Sequence, residues 1–264
     1  MKSCWWFAAL AAAMSFSVSA HTPYLAPSAF AVRAGDAVAL DASFAETFFV
    51  PEVAFDAEGF AVRAPDGSAV KPDVVEILTT RTVVEHALAQ GEGTYRFSTG
   101  PRHGALFRTW EIGGKRESSR EPDVRIPDGA KVLANFQSLT LAETYVTAGA
   151  PTRTVLAPRG SGLELVALTH PNDLYVGESF EFEIRYDGAP LAGQEVEVTE
   201  AVWTSDREPA TTTLVTDGQG RARLDLDRAG TWIALTRHRT EAPDGAPVDE
   251  ISNSYTLTFQ VLEQ

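Results

Sequence analysis

The sequence predicts an all-β protein built of sandwiches, and three observations carry that prediction. Apolar and polar residues alternate over short runs, with almost no helical periodicity. Turn residues separate the runs at sandwich spacing, as at Pro65-Asp66-Gly67, where Pro fixes φ and Gly accepts a positive φ. The two halves also echo one another. Ala34-Gly35-Asp36-x-Val38-x-Leu40 matches Val176-Gly177-Glu178-x-Phe180-x-Phe182, and Gly93-Thr94-Tyr95 matches Gly230-Thr231-Trp232, at intervals of 58 and 53 residues. The expectation is two tandem immunoglobulin-like β-sandwich domains after a cleaved signal peptide.

In chain order, Met1 and Lys2 give a positively charged start and Trp5 to Phe16 an apolar run of signal-peptide length. Val18 and Ala20 supply the small residues of a cleavage site, so residues 1–20 are expected to be removed after Ala20 and the mature chain to be periplasmic. No later segment is long and apolar enough for a membrane helix, so no direct membrane insertion of the mature chain is expected. Residues 21–160 form the expected N-terminal sandwich, with strands around Val38 to Ala42 and Phe60 to Arg63. Thr82 to Leu88 and Tyr95 to Ser98 are expected to form a hairpin across Gly91-Glu92-Gly93. Arg116 to Ala130, charged and carrying Pro122, Pro127 and Gly129, predicts a surface loop, and Val132 to Thr147 returns to the core. After the break at Pro158 to Gly162, residues 161–264 form the expected C-terminal sandwich. There Phe180, Phe182 and Ile184 alternate with Glu181, Glu183 and Arg185.

Composition narrows the chemistry. Removal of residues 1–20 takes away Lys2 and no acid, so the net charge moves from -14 to -15, which disfavours nucleic acid and attracts cations. The only cysteine, Cys4, and both methionines, Met1 and Met14, lie in the leader. The mature chain then has no disulfide and no sulfur ligand, which excludes thiolate zinc, iron–sulfur and blue-copper sites and leaves nitrogen and oxygen.

Cleavage after Ala20 would put His21 at a free amino terminus, where the α-amine and imidazole Nδ1 close a chelate ring suited to Cu(II) or Ni(II). Glu46 and Glu52 could join it if the aromatic segment Ser43 to Glu52 lies near the amino terminus. His103, after Gly100-Pro101-Arg102, is expected in a loop, and His170, in Thr169-His170-Pro171-Asn172-Asp173, between the domains. The metal candidates are therefore His21, His103, His170 and Glu46. His86, on one strand face with Val84 and Leu88, is expected to be structural. Two arginines flank His238, so it is a poor cation ligand. No GxSxG, HExxH, GxGxxG or phosphate loop is present, so no catalytic residues are assigned and the protein is not expected to be an enzyme.

The opening His21-Thr22-Pro23-Tyr24-Leu25-x-Pro27, the segment Asp41 to Glu52, Thr144-Tyr145-Val146-Thr147 and Leu168 to Leu174 resemble the exported domain-of-unknown-function 4198 family over almost the whole mature chain. Members are frequently labelled periplasmic components of nickel or cobalt uptake. The resemblance implies a two-domain β protein with His21 as the residue most suggestive of metal, and an inner-membrane metal transporter as a partner. The leading expectation is a periplasmic binding or accessory protein for a divalent transition metal (Ni, Co or Cu). The alternatives are a copper-dependent oxidative enzyme with a histidine brace at His21, and a metal-free adhesion or scaffold module.

Overall fold

Strands form where β-branched and aromatic residues alternate with polar ones, because that pattern suits a pleated surface buried on one side. The computed structural model describes residues 21–201 and 209–264, and the expected leader, with its cut after Ala20, lies outside the described residues. Among the described residues the regular elements are twenty strands, numbered β1 to β20 in chain order, and one 3-10 turn, Thr154–Leu156. The protein is all-β with sandwich-like sheets.

Three sheets are stacked. The first runs β1 (Thr22–Pro27), β3 (Ala37–Ala45), β8 (Thr82–Ala87), β7 (Val74–Ile77), with β4 (Val53–Ala54) on β3. The central sheet has eleven strands. Its main path is β17 (Thr211–Val215), β16 (Glu195–Glu200), β19 (Gly230–Glu241), β20 (Glu250–Val261), β12 (Lys131–Ala148), β9 (Gly93–Ser98), β5 (Ala61–Arg63), β6 (Ala69–Val70). β2 (Ala31–Val32) and β10 (Arg102–Ile112) also pair with β12, and β11 (Lys115–Ser119) with β10. The third sheet contains β13 (Leu163–Ala167), β14 (Ser179–Tyr186), β15 (Ala189–Pro190) and β18 (Arg221–Asp225).

The central sheet does not stop at residue 160. β12 pairs in parallel with β20 from Phe136↔Glu250 to Thr144↔Thr258, so the two halves share one ladder. β12 serves two cores at once, because successive side chains point to opposite faces. Ala142, Val146 and Ala148 pack with Leu25, Leu40 and Phe97 under the first sheet. Leu141 and Tyr145 pack with Phe180, Phe182 and Ile184 under the third. Each of those phenylalanines contributes about 1.5–3 kcal/mol through burial.

The echo between the halves persists in the backbone hydrogen bonds. Gly35 N–H donates to Leu88 O (3.0 Å), and Leu88 N–H to Asp36 O (2.9 Å). In the second half Gly177 N–H donates to Leu226 O (2.7 Å), and Leu226 N–H to Glu178 O (2.9 Å). β8 and β9, in contrast, are not the hairpin the sequence suggests. β8 lies between β3 and β7, whereas β9 lies between β5 and β12. Val84 and Leu88 meet Tyr95 and Phe97 face to face in one core, so Gly91 to Gly93 must cross between layers. The Tyr95 hydroxyl donates back to Gly91 O at 2.8 Å, the corner device of immunoglobulin-like sandwiches.

Other departures lie in the charged middle of the chain. Residues 116–119, expected in the loop, belong to β11. The remaining loop is tied down by buried Arg108, whose guanidinium donates to the carbonyls of Glu121, Pro122, Val124 and Pro247. His86 is fully buried, with Nδ1 3.3 Å from the Asp73 carboxylate.

His170 joins the halves. Its Nδ1 accepts from Asn172 N–H (3.1 Å) and its Nε2–H donates to Thr152 O (3.0 Å), with Thr94 Oγ1 3.1 Å away. Asn172 Nδ2 donates to Phe30 O and Tyr145 O of the first half. Burial, and next to it the nearby Arg153 cation, hold the imidazole pKa below its usual value against the opposing pull of Thr152 O and Asp173. Because the folded pKa is depressed, protonation favours unfolding. The neutral ring's contribution is intact above the unfolded value of about 6.5 and is lost as pH falls through the folded value. His170→Ala should cost on the order of 3 kcal/mol at pH 7.5, through two orphaned backbone groups. It should also flatten the loss of stability between pH 7 and pH 5, as read by urea unfolding at each pH. The paired glycines give a second test. Gly93 (φ 131°) and Gly230 (φ 150°) both lie where side chains are strained. An added Cβ at Gly93 would meet Pro65 Cβ and Thr152 Oγ1 at 2.7 Å, whereas at Gly230 it meets nothing nearer than 3.9 Å. Gly93→Ala should therefore lower the unfolding free energy by about 1–3 kcal/mol more than Gly230→Ala.

Candidate metal site at the amino-terminal strand

The β1–β3 ladder decides what faces His21. Thr22 pairs with Ala45, and one further step of the antiparallel register brings His21 opposite Glu46. Beyond Glu46 the chain turns, with Val50 N–H donating to Thr47 O (2.7 Å), and returns so that Glu52 N–H donates to Phe44 O (3.1 Å). Phe49 anchors this turn. It is buried in a small apolar cluster with Tyr24, Ala45, Ala201 and Ile233, and its ring meets Tyr24 edge-on at 4.8 Å. The aromatic segment is thus core, as its composition suggests, and it also holds two glutamates beside the amino-terminal strand.

Glu52 is the residue that touches the histidine. His21 Nε2 lies 2.7 Å from Glu52 Oε2, and the other carboxylate oxygen, Oε1, accepts Glu46 N–H at 2.9 Å. Both His21 and Glu52 side chains are 35% exposed, so the pair contributes at most about 1 kcal/mol to stability. Its value is orientation: Nε2–H donated to a carboxylate leaves Nδ1 with its lone pair. Glu46 is exposed, and among the described residues its carboxylate makes no ion pair with His21. Beneath them Tyr24 is held rigidly. Its phenol donates to Asp41 Oδ2 (3.2 Å), and burial, then the Asp41 charge, push its pKa above the usual tyrosine range.

The remaining candidates are elsewhere. His103 is exposed on β10, not in a loop, and pairs with Leu139. His170 is buried between the halves with both ring nitrogens already hydrogen-bonded, so a metal there would have to displace the Asn172 or Thr152 bond. Among the described residues no group of three or more His, Cys, Asp or Glu side chains converges as a metal site. Of the four candidates, only His21 has a carboxylate against its ring, and that carboxylate is Glu52; Glu46 lies one residue beyond the ladder, and His103 and His170 are distant from it. Glu52, which the sequence offered beside Glu46 as a residue that could join His21, is the one that reaches the ring.

The side-chain donors in contact here are one imidazole and the Glu52 carboxylate, and of the two the imidazole is the ligand that suits Ni(II) and Cu(II). The expected amine would add a second nitrogen.

No curated protein sequence matches the chain. Among solved structures it is similar to the D0-D1 domain of Intimin, at 13% identity over 89% of this chain and 96% of that one, with a TM-score of 0.22. It is also similar to the Yersinia pseudotuberculosis adhesin InvE, at 13% identity over 89% of this chain and 58% of that one, with a TM-score of 0.22. Trypsin activated alpha-2-macroglobulin from Escherichia coli matches at 10% identity over 91% of this chain and 16% of that one, with a TM-score of 0.25. With TM-scores this low, none of these likenesses bears on what this chain binds or does. The informative match is to a family model covering residues 18–240, described as Domain of unknown function (DUF4198), and the chain belongs to that family.

Proposed function

We propose that this is an exported, non-enzymatic binding protein for a divalent transition metal, Ni(II), Co(II) or Cu(II), held at the amino terminus created by cleavage after Ala20. The observation that carries the reading is the 2.7 Å contact from His21 Nε2 to Glu52. It supports a ring tautomer in which Nδ1 faces the metal together with the α-amine of the same residue. Glu52 would act as the outer carboxylate that fixes ring orientation and raises ligand basicity. Glu46, opposite His21 in the extended ladder, would supply an oxygen. His103 and His170 are left out of this ligand set, and with them the second imidazole that a histidine brace requires. That favours metal holding over copper-dependent oxidation. Delivery to an inner-membrane transporter is the matching physiological role.

Mass spectrometry should find His21 as the first residue of protein exported natively. Calorimetric titration of that protein should show one tight site for at least one of the three ions. His21→Ala should abolish the site, and Glu52→Gln should weaken it by about 10- to 100-fold without changing its stoichiometry. Stoichiometric binding that survives His21→Ala would sink the assignment. A melting temperature unmoved by all three ions would point to the metal-free scaffold instead.

A further inference from the structure

A second site lies on the opposite side of β12, where the cover provided by the second half ends. A cleft of about 560 Å3 opens there between the outer part of the central sheet, at β5 and β9, and the segment 154–161. Its charged lining is three arginines to one acid in a chain whose overall charge is -14: Arg63, Arg96 and Arg159, with Glu143.

The register explains why these cations are crowded. Arg63 and Arg96 are direct cross-strand partners on β5 and β9. Their side chains leave the same face, with Cβ atoms about 5 Å apart, an arrangement that destabilises a sheet when the charges are alike and unanswered. Internal carboxylates answer them only in part. Glu143 comes no nearer than 3.9 Å to Arg96 Nε, and it already accepts the Tyr255 hydroxyl at 2.8 Å. Arg96 is nevertheless buried, with one guanidinium nitrogen donating to Ala157 O (3.3 Å). Arg159 comes from the opposite wall. Its nearest carboxylate, Glu164, lies 3.8 Å from Arg159 Nε and also accepts the backbone N–H groups of Arg159 (2.7 Å) and Gly160 (3.0 Å); Nη2 donates to Leu163 O (2.8 Å), and among the described residues the buried Nε has no hydrogen-bond partner. Arg63, exposed at the mouth, donates to Gly67 O (3.1 Å) and has no ion pair among the described residues. Val155 and Pro158 supply apolar wall beside these forks.

We propose that this cleft binds a small organic polyanion, its carboxylate or phosphate groups received by the Arg63–Arg96 pair on one wall and by Arg159 on the other. Planar guanidinium forks match both groups in bidentate geometry, and a partly enclosed site strengthens the attraction relative to open water. The volume suits a ligand of small-metabolite size rather than a bare inorganic ion.

The probes are propane-1,2,3-tricarboxylate, phenyl phosphate and, as a neutral control, the corresponding triamide, titrated into the whole mature protein after passage over a chelating resin. At low ionic strength at least one anion should bind one-to-one and raise the melting temperature, the triamide should do neither, and the tighter anion identifies the preferred group. Arg63→Met and Arg159→Met should each weaken binding at least about ten-fold, and added salt should weaken it in the wild type. His21→Ala should leave it unchanged, which separates this site from the metal site. Arg63 is exposed, so its variant keeps the test open if Arg159→Met does not fold. Absence of binding by both anions to folded protein, or affinity unchanged in Arg63→Met, would overturn the proposal.

Discussion

The structure depends on the pairing of β12 with β20. An eighteen-residue strand that hydrogen-bonds along both edges and buries both faces over its C-terminal half must satisfy two cores with one sequence. Leu141 to Ala148 does this with small residues toward the first sheet, Ala142, Val146 and Ala148, and larger ones toward the third, Leu141 and Tyr145. Glu143 is the exception on the second face. It sits there because Tyr255, the neighbour of Leu141 on β20, reaches it with its hydroxyl, and because Arg96 approaches from β9. Burial and the Glu143 charge push the Tyr255 phenol well above its usual pKa, so it remains the donor in that bond.

The two candidate sites are products of that arrangement. On one face of the central sheet the first sheet is deep enough to seat Tyr24 and Phe49, and their packing sets where Glu52 emerges beside His21. On the other face the third sheet covers β12 and β20 but stops short of β5 and β9, and the uncovered margin is the arginine-lined cleft. One site gathers carboxylates and the other guanidinium groups. A strongly acidic chain thus contains one small region where guanidinium groups outnumber the acid.

Much of the fold was legible because its signals are local. The alternation Phe180–Phe182–Ile184 gave β14, and the Gly35 and Gly177 turns gave the internal echo, down to equivalent hydrogen bonds. What was not legible depends on partners distant in sequence. β10 carries His103, Gly104 and two arginines and lacks clean alternation, since β12, Arg108 and buried Trp110 hold it rather than its own pattern. The β8–β9 turn looks like a hairpin because a glycine-rich crossing between layers and a turn within a layer share the same residues. The shared ladder was invisible, because parallel pairing between residues 114 positions apart leaves no trace in either strand alone. At the site, His21 stood out through its place after the expected leader and Glu46 through its neighbourhood. Glu52 was named with it; which of the two glutamates reaches the ring, and the buried bonding of His170, needed coordinates.

The seat of β1 has a consequence for the order in which the molecule can assemble. Thr256 donates its hydroxyl proton to the carbonyl of Pro23 at 2.9 Å, across a sequence separation of 233. The strand that carries His21 thus rests on the last long strand of the chain. That support comes from the opposite end of the sequence, so β1 cannot be fully seated until β20 has folded. Until then the amino-terminal strand lacks half its bed, and closing so long a loop is among the slower steps a chain can take. The final seating of β1 is therefore a late event in folding, reached only once β20 is in place.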